Sequence, residues 1–202
     1  TTNIPSAHNN GFEVDAVYLL TDGLTVGGNM SYTQSQYDAR YTFFNQDDPR
    51  FPRKILGGDL NQDPCDMEES IRVLYCIEVD GLDLTGIPKW KATGWASYKW
   101  NLDGGDLTVY GALAYTGEYS TNEFNRPWDW VPERERLDLR ATYRANSGKW
   151  QTSIFIDNVF DKTYIRNSDL DSRLTGYGGN WSNRVIALTP RYAGISFTYN
   201  YQ

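Results

Sequence analysis

Residues 150–164 read W-Q-T-S-I-F-I-D-N-V-F-D-K-T-Y, and residues 189–202 read T-P-R-Y-A-G-I-S-F-T-Y-N-Y-Q. In a strand, successive side chains point to opposite faces. Trp150, Thr152, Ile154 and Ile156 then share a largely apolar face, opposite Gln151, Ser153 and Asp157. The terminal segment repeats the division, with Ala193, Ile195, Phe197, Tyr199 and Tyr201 on one face and Gly194, Ser196, Thr198 and Asn200 on the other. The tail therefore reads as two amphipathic strands on either side of a Gly-rich polar loop, with aromatic residues crowding their ends.

Composition bounds what that tail can belong to. The chain has 202 residues, enough for one domain, and no run of about 18 apolar residues that would make a transmembrane helix. Its mean hydropathy is −0.61. Transmembrane barrels also have low mean hydropathy, because only alternate residues face lipid. The value therefore argues against helical spans and not against strands. Aromatic residues make up 15% of the chain, with 15 Tyr and 7 Trp, which fits interfacial girdles and equally a carbohydrate-binding sandwich. A net charge of −7 argues against nucleic-acid binding, which needs a basic footprint. The opening T-T-N-I-P-S-A lacks the basic and apolar regions of a signal peptide, so the sequence is expected to be mature or excised from a longer one.

Seven strands are expected, near Gly11–Leu20, Leu24–Ser35, Ile87–Asn101, Asp106–Gly117, Glu133–Ala145, Lys149–Phe160 and Arg191–Tyr201. Most reach the roughly 9 to 11 residues that a tilted strand needs to cross a bilayer. Thr21-Asp22-Gly23, Asp103-Gly104-Gly105 and Asn146-Ser147-Gly148 are tight-turn sequences, since Gly and Asn tolerate the positive φ of short hairpins. Between these turns lie long polar loops at 36–86, 118–132 and 161–190. Short and long connections alternate throughout. Outer-membrane barrels place short turns in the periplasm and long loops outside.

With the C-terminus in the periplasm, all three long loops fall on the extracellular side. The first strand then also runs inward, and the two ends lie on opposite sides of the membrane. Single-chain bacterial barrels have an even strand number and both termini in the periplasm. Further strands are accordingly expected upstream.

The face division recurs in every strand. Phe12, Val14, Ala16 and Tyr18 would face lipid, with Glu13 and Asp15 inward and partnered by Arg or Lys across strands. In the third strand Trp90, Tyr98 and Trp100 point outward and Lys91, Trp95 and Lys99 inward. The fifth is the most polarised: Leu137, Leu139, Ala141 and Tyr143 oppose Arg136, Asp138, Arg140, Thr142 and Arg144. Such charges do not pack into a dry sandwich core.

I-D-N-V-F-D-K-T-Y at 156–164, followed by P-R-Y-A-G-I-S-F-T-Y-N-Y at 190–201, resembles the C-terminal end of TonB-dependent outer-membrane receptors. N-N-G-F-E-V-D at 9–15, G-L-T-V-G-G-N-M-S-Y-T-Q-S-Q-Y at 23–37 and G-I-P-K-W-K-A at 86–92 look like the corresponding barrel elements. The resemblance covers nearly the whole chain apart from the long loop. It implies an all-β, antiparallel, 22-stranded transmembrane barrel closed by an N-terminal plug. Such a receptor imports ferric siderophores or other scarce ligands with energy from TonB. Residues 1–202 would supply about the last seven strands of that barrel domain, with the plug and the TonB-contacting box outside this stretch. The chain ends Tyr201-Gln202, where the family usually ends on an aromatic residue.

Cys65 and Cys76 are the only cysteines, both within the 36–86 loop. In an exported protein such a pair is expected to form a disulfide, since the periplasm is oxidising. No metal site is expected, because His8 is the only histidine and two thiols do not make four zinc ligands. The acidic residues of this loop lack the spacing of a calcium ladder and read as a solvated surface. No nucleophile, zinc-protease or phosphate-loop motif is present, so neither catalysis nor a cofactor is expected.

By analogy with the family, Phe124, Trp128 and Trp130 in the second loop and Tyr177 and Trp181 in the last are candidates to stack on a planar ligand. Arg126 and Arg173 are candidates to pair an anionic chelate. The plainer reading of each is girdle or loop packing. The expected partners are outer-membrane lipid, TonB through the upstream region, and a small-molecule ligand such as a ferric siderophore. A passive porin-like barrel and a soluble carbohydrate-binding β-sandwich remain alternatives.

Overall fold

The computed structural model of the chain describes residues 4, 6–38, 40, 42–44, 65, 76–171 and 182–201. The strands are β1 (Ala7–Leu19), β2 (Leu24–Tyr37), β3 (Thr42–Phe44), β4 (Cys76–Glu78), β5 (Trp90–Leu102), β6 (Gly105–Thr116) and β7 (Tyr119–Ser120). They continue as β8 (Trp130–Val131), β9 (Arg134–Ala145), β10 (Trp150–Asp157), β11 (Ile165–Asp171), β12 (Ser182–Ala187) and β13 (Tyr192–Tyr199). Seven of them form one antiparallel sheet in the order β1-β2-β5-β6-β9-β10-β13. None of these seven contains proline, whose missing N–H would interrupt a ladder. Among the described residues no helix is long and apolar enough to cross a membrane, which says nothing of strands.

Register carries the alternation across the whole sheet. Val14 pairs Met30, Met30 pairs Ala92, and Ala92 pairs Tyr115. Farther along, Val109 pairs Ala141, Ala141 pairs Ile154, and Ile154 pairs Ile195. The apolar residues of seven strands thus lie on one continuous face, as the sequence predicts. This face is exposed, with Ile195 at 78% and Phe197 at 66% of their free accessibility. A monomeric soluble protein rarely leaves so large an apolar surface to water.

Aromatic rings border that face at both ends. Near the long loops, Phe12, Tyr32 and Trp90 cluster with ring centroids 4.7 to 6.1 Å apart. Near the tight turns, Tyr98 packs against Trp100 at 4.3 Å between ring centroids, and Tyr143, Trp150 and Phe197 follow at 5.2 and 6.2 Å. From Trp90 to Trp100 the strand advances roughly 33 Å, or about 25 Å along a membrane normal at a tilt of about 40°. That matches the apolar band of an outer-membrane barrel, about 25 Å tall.

The opposite face is mixed. Arg136 Nε donates to Asp138 Oδ1 at 2.8 Å, and Arg136 also pairs with Asp157 at 3.7 Å. Lys99 pairs with Asp106 at 2.9 Å, and the Thr142 and Ser153 hydroxyls are hydrogen-bonded at 2.8 Å. In its middle this face also carries Trp95, Tyr110 and Phe155, and the Trp95 indole lies against Gly27, where an added Cβ would meet the ring at 2.5 Å. One expectation fails. Neither Glu13 nor Asp15 has an ion pair among the described residues. Glu13 pairs with Ser31, which pairs with Lys91, so the Cα atoms of Glu13 and Lys91 stand two strands apart, roughly 9.6 Å.

The tight connections all fall at one end of the sheet and the long ones at the other. Gly148 takes φ +67°, the left-handed conformation that glycine adopts without penalty. Asn146 donates through its backbone N–H to Gly104 O at 3.0 Å and through Nδ2 to Asp103 O at 2.8 Å, joining two neighbouring turns. The loops hold structure that polarity alone did not reveal. Three further two-stranded ladders, β3-β4, β7-β8 and β11-β12, lie within them.

Strand ends also moved. The first strand begins at Ala7 rather than Gly11, the second continues to Tyr37, and the sixth main strand stops at Asp157 rather than Phe160. At Asn158 the backbone turns left-handed, with φ +54°, which no continuing strand accommodates.

Candidate functional site

Most of the buried side chains among the described residues lie beyond the long-loop end of the sheet. Tyr37, Val79, Ser120, Arg126, Asp129 and Val131 are all buried there, where segment 79–89 and loop 118–132 pack into one collar. Its backbone is stitched: Gly86 N donates to Ser120 O at 2.7 Å, Leu84 N to Ser35 O at 3.0 Å, and Asn125 Nδ2 to Asp83 O at 2.9 Å. The Tyr37 phenol lies beyond the girdle row of Tyr32. Burial pushes its pKa up, and the nearby Glu123 charge adds to the effect.

Arg126 holds the tip of loop 118–132 together. Its Nε and Nη2 donate to the two carboxylate oxygens of Asp129 at 2.7 and 3.0 Å, and its backbone N–H donates to the same group at 3.0 Å. The two side chains are 3% and 0% exposed. Phe124 and Trp128 cover the guanidinium, with ring centroids 5.4 and 5.5 Å from Cζ. A bidentate pair this buried acts as a structural clamp on the loop. Trp130 Nε1 donates to Asn125 O at 3.2 Å. Its ring lines a cavity of about 210 Å³ with Asp83, Lys89, Trp90, Tyr115 and Glu133. Trp90 and Tyr115 belong to the apolar face, so Trp130 sits toward the outer rim. Arg173, Tyr177 and Trp181 lie outside the described residues.

A larger cavity lies elsewhere. About 690 Å³ opens at the wide end of the inner face, lined by Thr85, Gly86, Lys91, Thr116, Tyr119, Thr121 and Arg134, with Ile186 from β12 across it. The strands place these groups by register, since Lys91 pairs Thr116 and Thr116 pairs Arg134 in a single row. Hydroxyls and cations dominate the lining. Sequence reading did not single out these residues. The signal for them in the sequence is the inward strand phase of Lys91 and Arg134. Among the described residues no group of three or more His, Cys, Asp or Glu could hold a metal ion.

Cys65 and Cys76 form the expected disulfide, closing the loop just before β4.

A family model described as "TonB dependent receptor-like, beta-barrel" matches residues 1–159. No curated protein matches the chain. Among solved structures, the ferric yersiniabactin uptake receptor FyuA from Yersinia pestis superposes with a TM-score of 0.65 at 15% identity, over 95% of this chain and 23% of that one. The siderophore receptor PiuA from Acinetobacter baumannii gives 0.61 at 19%, over 95% and 21%. The ferric preacinetobactin receptor BauA from Acinetobacter baumannii gives 0.60 at 17%, over 96% and 22%. The chain thus spans between a fifth and a quarter of the length of these structures, and at such identities the likeness shows the fold. An all-β antiparallel sheet and a family match over most of the sequence agree: the chain belongs to the TonB-dependent receptor β-barrel family.

Proposed function

We propose that the chain is the C-terminal part of a 22-stranded outer-membrane barrel that imports a ferric siderophore with energy delivered by TonB. The observation that carries this reading is the family match over residues 1–159. The exposed apolar face, bordered by aromatic rings at both ends, supports the membrane location. The likeness to three siderophore receptors supports the cargo class.

In this reading the tight turns face the periplasm and the collar faces outside. A plug from the upstream sequence fills the lumen and couples to TonB. Ligand meets the loops first. Phe124, Trp128 and Trp130, with Arg173, Tyr177 and Trp181, contribute to that first surface, and Arg126 shapes it through Asp129. Ligand then passes to the cavity on the inner wall.

The test is uptake of radiolabelled iron from siderophore chelates by cells expressing the full-length receptor. Uptake that needs both the receptor and TonB supports the proposal. Uptake by the receptor that is undiminished without TonB would point to a passive barrel and overturn it.

A further inference from the structure

Inward-facing cations on this wall are matched, with two exceptions. Arg136 has Asp138 and Asp157, and Lys99 has Asp106. Arg144 reaches the Gln151 side-chain oxygen at 3.5 Å, and Arg140 lies over the Phe155 ring at 5.3 Å. Lys91 and Arg134 have no such partner among the described residues, although both line the 690 Å³ cavity. Arg134 Nη1 is buried and has no hydrogen-bond acceptor. A buried donor left unpaired carries a desolvation cost, and a charged one more. Retaining it in a cavity large enough for a small molecule is explained when the acceptor arrives from outside.

The geometry specifies the acceptor. Lys91 and Arg134 flank Thr116 in one register row, two strands apart, which puts their Cα atoms roughly 9.6 Å from one another. Arg offers a planar fork for a carboxylate or phosphate, and Lys a mobile point charge. The Thr116 side chain on the same lining adds a hydroxyl group that donates to an oxyanion. Among the described lining residues Tyr119 is the one aromatic ring. The whole chain carries a charge of −7, which makes a locally cationic pocket selective rather than incidental.

We propose that Lys91 and Arg134 form an oxyanion site on the inner wall, and that the cargo carries at least two free carboxylate or phosphate groups. The proposal rests on the importer reading for the word cargo alone; anion binding itself needs neither TonB nor transport.

The experiment is calorimetric titration of the full-length receptor in detergent with citrate, with inorganic phosphate, and with uncharged glucose. Citrate is expected to bind and glucose not. Lys91→Met and Arg134→Met should each weaken citrate binding by at least about tenfold, and Arg134→Lys by less. Stronger retention of phosphate than of citrate would assign the site to phosphate-bearing ligands within the same class. Heat-dependent gel mobility checks that each variant still forms a barrel. Absence of citrate and phosphate binding to the wild type, or equal binding by wild type and a Lys91→Met/Arg134→Met receptor, would overturn the proposal. Lys91-dependent binding without TonB-dependent uptake of ferric citrate or any other chelate would leave the site standing and sink the importer reading instead.

Discussion

Asp138 and Asn158 are joined across the end of the membrane band: Asp138 Oδ1 accepts the backbone N–H of Asn158 at 2.9 Å while holding Arg136 Nε at 2.8 Å. Asn158 in turn donates through Nδ2 to Lys162 O at 2.9 Å and accepts from Lys162 N at 3.3 Å through Oδ1. One carboxylate thus fixes where β10 stops and how the chain leaves for the last loop. Asp138→Ala removes the acceptor from a backbone donor and from a guanidinium, and should lower barrel stability by about 1.5 to 3 kcal/mol. Asp138→Asn, which keeps the acceptor oxygen, should cost less. Unfolding titrations in detergent, read by heat-dependent gel mobility, give both values.

The Arg126 clamp makes a different prediction. Removing either partner leaves a buried charge unpaired, so Arg126→Ala and Asp129→Ala should each destabilise loop 118–132 by roughly 3 to 5 kcal/mol. The double variant should be less damaging than the sum of the two. Hydrogen exchange at residues 119–131 measures the local opening, and simple additivity would contradict the pairing.

The disulfide acts on a loop and not on the sheet. Replacing Cys65 and Cys76 by serine should reduce the local stability of their loop by roughly 3 kcal/mol in the chain-entropy model. Exchange at 76–78 should rise, while protection in β9 and β10 stays unchanged. A general loss of barrel protection would show that the bridge supports more than its loop.

Much of this architecture was legible in the residues. Period-two alternation placed Ile154 and Ser153 on opposite faces, and Gly148 marked a turn that does require positive φ. Spacing of the turns fixed which connections are long. Less was legible where tertiary contacts override local pattern. The β7-β8 ladder is only two residues on each side, too short for periodicity to register. The Arg126–Asp129 pair was not legible because it forms only where the loop turns tightly between them. The cavity residues Lys91 and Arg134 come from strands separated by 43 positions in sequence, and only the pairing of β5, β6 and β9 brings them into one row.

Charge placement along β10 distinguishes the two faces energetically. Ile154→Lys puts an ammonium on the apolar face between the aromatic borders and should cost about 2 to 4 kcal/mol. Ser153→Lys, one residue away on the inner face, should cost much less. Equal effects in detergent-to-bilayer refolding would mean that the faces are not differently solvated.

The membrane reading of the apolar face is tested most directly by nitroxide labels on single cysteines placed in turn at 193–199, in the full-length receptor reconstituted in lipid. The described residues contain no free thiol to interfere. Collisions with oxygen, which concentrates in lipid, should peak at 193, 195, 197 and 199, and collisions with a water-soluble nickel chelate should not peak there. Accessibility to the nickel chelate as high at 195 and 197 as at 196 and 198 would contradict the account.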